Sequence, residues 1–191
     1  MSALVVVGVA CAIVGTLLFQ LASAPGDPVA TAPNLASGDA LPSGDALPQG
    51  VTLYDEQYAG VANLDPALLH ALRAAATDAA AAEGLEFSLT SGWRSPEYQD
   101  QLLEEAVVTY GSREEAARWV ATSDTSSHVS GDAADIGDYD AATWLSDHGA
   151  AYGLCQIYDN EAWHFELRPE AVHDGCPRKY FDPTEDPRMR R

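Results

Sequence analysis

The sequence is poor in basic residues and in cysteine. Only 10 lysines and arginines stand against 29 acidic residues, which gives a formal net charge of −19 at pH 7. Because phosphate backbones attract Lys and Arg, this balance argues against a nucleic-acid partner. The three cysteines include no Cys-x-x-Cys pair, which excludes a thiolate zinc finger, and they are too few for a disulfide-built miniprotein.

Apolar residues, in contrast, are plentiful. They make up 47% of the 191 residues, enough for a packed core, which excludes wholesale disorder. The length leaves room for one ordinary domain with flanking segments. The composition fits a soluble acidic enzyme, or a protein that holds cations. We expect a monomer.

Two segments precede the expected domain. Residues 1–24 contain an uncharged apolar run from Ala3 to Phe19, which fits either a signal peptide or a retained N-terminal membrane anchor. The first basic residue is Arg73, so flanking charge gives no orientation. Residues 25–50 are rich in Pro, Gly, Ala, Ser and Asp and contain the hexapeptide SGDALP twice in tandem, which predicts a flexible linker. Together they predict an extracytoplasmic domain, either secreted or anchored to the cell membrane.

Residues 51–180 are expected to fold, and residues 181–191, which end in RMRR, to form a solvated tail. Periodicity and capping residues predict helices from Asp65 to Gly84, from Ser95 to about Val108, from Ser112 to about Ala121 and from Asp140 to about Tyr152. Strands are expected near 85–89, 133–136, 156–158 and 163–167. Helices precede most strands without regular βαβ alternation, so we predict an α+β domain with a small antiparallel sheet.

Two histidines lie among residues that could hold a metal ion. The segment SSHVSGDAAD contains His128 and Asp135, and the segment EAWHFE contains His164. Two imidazoles and one carboxylate are the ligand set of many catalytic zinc sites. On a flat strand, the odd separation of His128 and Asp135 would point them to opposite faces, but Gly131 permits a bend that brings both to one cation. His164 would come from a separate strand, where it shares a face with Glu166.

Glu161, three residues before His164, is the candidate general base. A carboxylate beside an activated water can take its proton and pass it to a leaving amine. A single histidine is more often a surface or core residue, and we expect this of the other three. The pattern S-x-H-x-x-G-x-A-x-D followed by E-x-W-H, however, predicts one joint zinc site.

These motifs resemble the VanY-type D-alanyl-D-alanine carboxypeptidases, zinc peptidases that trim bacterial cell-wall peptides. The resemblance runs from about Leu64 to Leu167 and includes the S-G-W-R-S element at residues 91–95. It implies a hedgehog/D,D-peptidase-like zinc fold with one Zn²⁺ per chain. Its implied ligands are His128, Asp135 and His164.

The resemblance also implies roles for four further residues. Glu161 matches the catalytic base. Arg94 matches an arginine that contacts substrate and the developing oxyanion, and such a role suits its fixed fork of donors. Gln99 matches a substrate-binding glutamine, and Ser126 matches a serine that contacts substrate.

The implied activity is hydrolysis of the terminal D-Ala of peptidoglycan stem peptides. An L,D-carboxypeptidase, a D-Ala-D-Ala dipeptidase or a peptidoglycan endopeptidase would use the same site. A non-catalytic zinc-binding module that recognises wall peptides is an alternative from another class, since the hedgehog signalling domain has a similar fold. A metal-free structural domain is a third. The presence of Glu161 and Arg94 favours the enzyme, because a pure binder needs no base.

Cys155 and Cys176 flank Glu161 and His164 in the sequence. Outside the cell, such a pair would oxidise if its geometry allows. The bridge would close a loop of about 20 residues, worth on the order of 3 kcal/mol, and would tie the carboxy-terminal segment to the strand that enters the site. Two free buried thiols are the alternative.

Overall fold

The structure is a computed structural model that describes residues 46–190. The expected signal peptide or anchor at 1–24, and most of the linker at 25–50, lie outside the described residues. Within residues 46–190, no helix combines the length and apolar character needed to cross a membrane.

The described residues form α-helices of 4 to 18 residues and four short strands. The α-helices are α1 (Ala59–Ala62), α2 (Pro66–Glu83), α3 (Pro96–Tyr110), α4 (Arg113–Ala116), α5 (Tyr139–His148) and α6 (Ala171–Asp174). The strands are β1 (Leu89–Ser91), β2 (Ala133–Ile136), β3 (Leu154–Gln156) and β4 (His164–Leu167). Turns of 3₁₀ helix lie at Gly149–Tyr152, Pro183–Glu185 and Pro187–Arg190.

The strands form one antiparallel sheet in the order β1-β2-β4-β3. The register of β2 against β4 places Asp135 directly opposite His164. On the other side of β2, Ser91 at the end of β1 pairs with Asp135. The α+β class with a small antiparallel sheet is therefore confirmed.

The core lies between α2 and the sheet. Leu68 and Leu72 of α2 are fully buried, as is Phe165 of β4. Each such side chain contributes about 1.5–3 kcal/mol when it leaves water. The core therefore fixes β4, the strand that carries His164, against α2.

Local signals set the ends of α2 where the sequence predicts them. The Asp65 carboxylate accepts hydrogen bonds from the backbone N–H groups of Ala67 and Leu68, which caps the first turn. The helix ends before Gly84, which adopts a left-handed conformation with φ of 72°.

The helix predicted from Ser112 to about Ala121 is much shorter than expected. The Ser112 hydroxyl accepts a hydrogen bond from the Glu115 N–H, as the capping pattern predicts, but α4 ends at Ala116. The carbonyl of Arg118 instead accepts a hydrogen bond from the Asn160 side chain at 2.8 Å. This tertiary hydrogen bond therefore uses the Arg118 carbonyl, which would accept a backbone hydrogen bond if the helix continued.

The predicted solvated tail is wrong for residues 182–190. Asp182 and Asp186 are buried, and Arg118 donates to Asp182 at 2.8 Å. Arg188 donates to both Asp186 and Glu166. Arg118 and Glu166 lie far from this segment in the sequence, and Asp186 is buried within it. The sequence therefore gives no sign of these contacts, and a charged segment of this kind is typical of a solvated tail. The packed domain therefore extends to Met189, which packs against a buried cluster that contains Ile157 and Tyr158.

Candidate metal centre

Three buried side chains that the sequence predicts as ligands converge on one point. The Asp135 Oδ1 atom lies 3.1 Å from His164 Nδ1 and 3.4 Å from His128 Nε2. One ligand atom from each residue lies within 4.8 Å of the other two. The expected ligand set is thus assembled in space, although its members come from a turn and two strands.

The turn before β2 explains how His128 and Asp135 face the same point. His128 belongs to the turn at 126–131 and not to the strand, so the alternation of a flat strand does not apply. Gly131 has φ of +81°, and a Cβ there would lie 2.7 Å from the Asn63 carbonyl oxygen. A side chain at this position would therefore strain the turn that presents His128.

The S-G-W-R-S element holds the His128 ring through the nitrogen that faces away from Asp135. The His128 Nδ1 atom lies 2.7 Å from the Gly92 carbonyl oxygen. Because a carbonyl only accepts, Nδ1 carries the hydrogen and Nε2 offers its lone pair towards Asp135. Trp93 adds a hydrogen bond from its indole N–H to the Val129 carbonyl at 3.1 Å. Position 92 must be glycine, since a Cβ would lie 2.0 Å from the Gly60 carbonyl oxygen.

The residues present fit a zinc ion. Two ring nitrogens and a carboxylate oxygen face one another in a buried space, and these are ligand types that Zn²⁺ prefers. Beside them, Glu161 Oε2 lies 3.8 Å from His164 Nδ1. Glu161 Oε1 is buried without a hydrogen-bond partner among the described residues. Buried acceptors that converge in this way need a cation or a proton donor between them.

The electrostatics of the site shift the pKa values of the three candidate ligands. Burial lowers the pKa of His128, and the charge of Arg94 adds to this effect. Burial opposes ionisation of Asp135, but the adjacent imidazoles hold its pKa well below the usual range. Burial also disfavours charged His164, yet hydrogen bonds to Asp135 and Glu166 outweigh it and raise the pKa of His164 to about 10.

Glu161 has the pKa expected of a general base near neutral pH. Burial raises the pKa of its carboxyl from 4.5 to about 7, and His164 offsets part of the rise. A base is most effective when its pKa lies near the working pH. The position of Glu161 beside the three converging side chains therefore suits proton transfer.

Arg94 points into the same site. Its guanidinium donates to Asp135 Oδ2 at 3.2 Å, to Ser91 Oγ at 2.8 Å and to Gln99 Oε1 at 3.1 Å. Gln99 is only 1% exposed, and its amide N–H donates to the Ala121 carbonyl at 2.8 Å. In this arrangement Gln99 orients Arg94. A direct substrate contact by Gln99 stays a prediction.

Ser126 lies at the start of the turn that carries His128. Its hydroxyl accepts a hydrogen bond from the His128 N–H at 3.3 Å, and the residue is buried. The structure thus gives Ser126 a part in shaping the turn. Its contact with substrate also stays a prediction.

The structure joins Cys155 of β3 to Cys176, with their Cα atoms 5.6 Å apart. The segment between them contains β4, so the link ties the chain beyond α6 to the strand next to His164. The pairing is the one expected from the sequence. Its oxidation in the isolated protein stays a prediction.

Part of the environment of His164 is not evident from the sequence. Strand alternation predicts Glu166 on the same face as His164, but the structure adds a contact of Glu166 with His164 Nε2 at 3.3 Å. The alternation of β4 was the available signal. Arg188, which contacts Glu166, gave no signal because it lies in a charged segment assigned to solvent.

Comparison with known proteins identifies the family. The family model described as VanY, D-alanyl-D-alanine carboxypeptidase, matches residues 62–170. The chain belongs to the VanY family. The matched span contains all three converging ligand candidates together with Glu161 and Arg94.

A curated relative is similar over part of its length. It is a D-alanyl-D-alanine carboxypeptidase of Enterococcus faecalis, 28% identical over 136 residues, and the match covers 55% of this chain and 51% of the relative. The chain thus spans about half the length of that relative.

Solved structures of related peptidases share the fold. A mutant of the vancomycin-resistance D,D-pentapeptidase VanY from a VanB-type cassette, in complex with Zn(II), is 26% identical with a TM-score of 0.50, covering 55% of this chain and 72% of that one. VanYB in complex with D-alanine-D-alanine is 26% identical with a TM-score of 0.53, covering 59% and 78%. The LD-carboxypeptidase LdcB is 25% identical with a TM-score of 0.52, covering 70% and 72%. The expected zinc-peptidase fold is confirmed.

Proposed function

We propose that this protein is a zinc-dependent D,D-carboxypeptidase that acts outside the cytoplasm and removes the terminal D-Ala from peptidoglycan stem peptides. The observation that carries the proposal is the convergence of His128, Asp135 and His164 beside Glu161, whose pKa is raised to about 7. Membership of the VanY family supports it, as does the similarity to VanYB solved with D-alanine-D-alanine.

His128 Nε2, Asp135 and His164 Nδ1 would hold the zinc ion. When bound, zinc supplies Lewis-acid chemistry, polarising a carbonyl and making a nearby water more acidic. The other tasks fall to side chains of this chain. Glu161 takes a proton from the attacking water and returns it to the departing D-Ala amine. Its buried position keeps bulk water from competing for that proton.

Arg94 supplies the positive charge that a substrate ending in a carboxylate requires. Its side chain is 16% exposed, so the guanidinium is held largely out of water but can be reached. The three hydrogen bonds to Ser91, Gln99 and Asp135 fix the fork before substrate arrives. Such preorganised donors stabilise a developing oxyanion at little reorganisation cost.

The direct test uses the full-length chain, purified in mild detergent and loaded with zinc. It is incubated with synthetic pentapeptide, tetrapeptide and D-Ala-D-Ala, and the products are read by mass spectrometry. Loss of one alanine from the pentapeptide alone is the expected result. The Glu161→Gln variant should bind zinc but fail to cleave, whereas Glu83→Gln, a change at an exposed carboxylate on α2, should cleave normally.

An L,D-carboxypeptidase is the second candidate. The match to the LD-carboxypeptidase LdcB covers 70% of this chain, against 59% for VanYB. Cleavage of the tetrapeptide would move the protein to that class. Cleavage of the free dipeptide would indicate a dipeptidase. Zinc binding without any cleavage would favour an endopeptidase or a wall-recognition module.

We also propose the cellular setting. Residues 1–24 would direct or anchor the chain, residues 25–50 would act as a spacer, and the domain would work as a monomer. The pairing of Cys155 with Cys176 supports an oxidising compartment outside the cytoplasm. Intact mass before and after alkylation tests this point, since labelling of two thiols without reductant would contradict it.

A further inference from the structure

The carboxy-terminal segment 182–190 contacts a residue that holds His164. Glu166 lies two positions after His164 on β4, so both side chains project from the same face of the strand. Glu166 is fully buried, and its Oε1 atom lies 3.3 Å from His164 Nε2. A carboxylate there accepts the Nε2 hydrogen, so Nδ1, which faces Asp135, is the atom that would bind zinc once zinc displaces the hydrogen on Nδ1.

The Glu166 carboxylate also reaches the turn of the other histidine. Ser127, the residue before His128, donates its hydroxyl hydrogen to Glu166 Oε1 at 2.9 Å. One buried carboxylate thus connects β4 with the turn at 126–131. A shift of Glu166 would therefore disturb the approach of both imidazoles.

Arg188 offsets the cost of burying the Glu166 charge. Its guanidinium donates through Nη1 to Glu166 Oε2 at 2.7 Å and through Nη2 to Glu166 Oε1 at 3.2 Å. Arg168 also donates to Glu166 Oε2. A planar fork that meets both carboxylate oxygens fixes orientation as well as charge, which a lysine cannot do equally well.

Arg188 is itself fixed in place. Its Nε and Nη2 atoms donate to Asp186 Oδ2 at 2.9 and 2.5 Å, and Asp186 is fully buried. The Tyr158 hydroxyl donates to the same oxygen at 2.9 Å, and the Tyr158 ring lies 5.4 Å from the His164 ring. A continuous set of side chains therefore runs from the 182–190 segment to His164.

We propose that Glu166 is a positioning residue for His164, and that Arg188, carried by the carboxy-terminal segment 182–190, holds Glu166 in that role. The inference rests on the proposed function, because it concerns how the chain prepares His164 for zinc. The segment is thereby part of the metal centre although it lies beyond the span shared with the family model.

The test measures zinc affinity of the full-length chain by competition with a chromophoric chelator. Loss of a hydrogen-bonding partner of a metal-ligating histidine typically weakens metal binding 10- to 100-fold. We expect a loss in that range for Glu166→Gln and for Arg188→Met, and a smaller loss for Arg188→Lys, which keeps the charge. Arg178→Met, a change at an exposed arginine before the segment, should bind zinc like the wild type.

A second readout separates positioning from simple stabilisation. In the zinc-loaded protein, ¹⁵N chemical shifts of His164 should show its hydrogen on Nε2, and the Glu166→Gln variant should shift that Nε2 signal. Thermal unfolding in chelator reports whether each variant still folds. Wild-type zinc affinity in folded Glu166→Gln and Arg188→Met, or a hydrogen on Nδ1 of His164, would overturn the inference. A wild-type chain that binds no zinc would overturn the proposed function as well.

Discussion

The substitution Glu161→Gln should make the metal-free protein more stable while it makes the enzyme much slower. Burial raises the pKa of Glu161 from 4.5 to about 7 in the folded chain. The folded state therefore binds this proton more tightly than the unfolded state does. Stability attributable to Glu161 falls as the pH rises from about 4.5 to about 7, and the loss is complete above that range.

The size of the effect follows from the same values. A pKa raised from 4.5 to about 7 corresponds to about 3 kcal/mol, because each tenfold change in an equilibrium is worth about 1.4 kcal/mol. Glutamine has nearly the same shape and carries no charge, so it avoids this penalty. We therefore expect Glu161→Gln to raise the free energy of unfolding of the chelator-treated protein at pH 8 by up to about 3 kcal/mol.

Guanidinium unfolding followed by tryptophan fluorescence measures this difference at pH 8 and at pH 4.5. The gain should be clear at pH 8 and should shrink at pH 4.5, where the carboxyl is protonated in the folded state and about half protonated in the unfolded state. Turnover of the zinc-loaded variant should fall by about 10²- to 10⁴-fold, the usual contribution of a general base. Equal stability of variant and wild type at pH 8 would show that Glu161 is not destabilised by burial, and near-normal turnover would show that it is not the base. Glu83→Gln is the matched control for both measurements.

Other predictions address the ligands, the substrate arginine, the disulfide and the pH profile. Asp135→Asn should abolish tight zinc binding in an equilibrium dialysis experiment, because it removes the anionic ligand. Arg94→Lys should lower kcat/KM about 10- to 100-fold without loss of zinc, because an ammonium lacks the fork that meets a carboxylate. Cys155→Ala with Cys176→Ala should lower the free energy of unfolding by about 3 kcal/mol. In the zinc-loaded enzyme, kcat/KM should decrease as the pH falls to 7 or below, because protonated Glu161 cannot act as a base and a bound cation lowers its pKa. The pH profile of Glu161→Gln should lack this acid-side decrease.

The sequence predicts the parts of the fold that local chemistry decides. Asp65 and Gly84 mark the ends of α2 because a side-chain cap and a left-handed glycine act within one turn. The approach of His128, Asp135 and His164 was predictable because ligand chemistry restricts which residue types can share a cation. These features need no knowledge of distant packing.

Features decided by distant contacts were not predictable. The early end of α4 depends on Asn160, which takes the carbonyl of Arg118. The packing of segment 182–190 depends on Glu166, whose buried charge creates a place for Arg188. From sequence alone, an arginine near a chain end has the same appearance whether it meets water or a buried carboxylate. The contact of Gln99 with Arg94 was not predictable for a similar reason, since it forms only in the folded chain. The substrate role that the family resemblance implies for Gln99 stays a prediction.

The most direct test of the central claim is the removal and return of zinc during pentapeptide cleavage. The full-length chain is stripped with chelator, dialysed, and reloaded with measured amounts of zinc while the release of D-alanine is followed. Release should stop in the stripped protein and return fully at one zinc per chain, and Asp135→Asn should be inactive throughout. Release that persists in the stripped protein, or that fails to return with zinc, would contradict the proposed zinc-dependent cleavage.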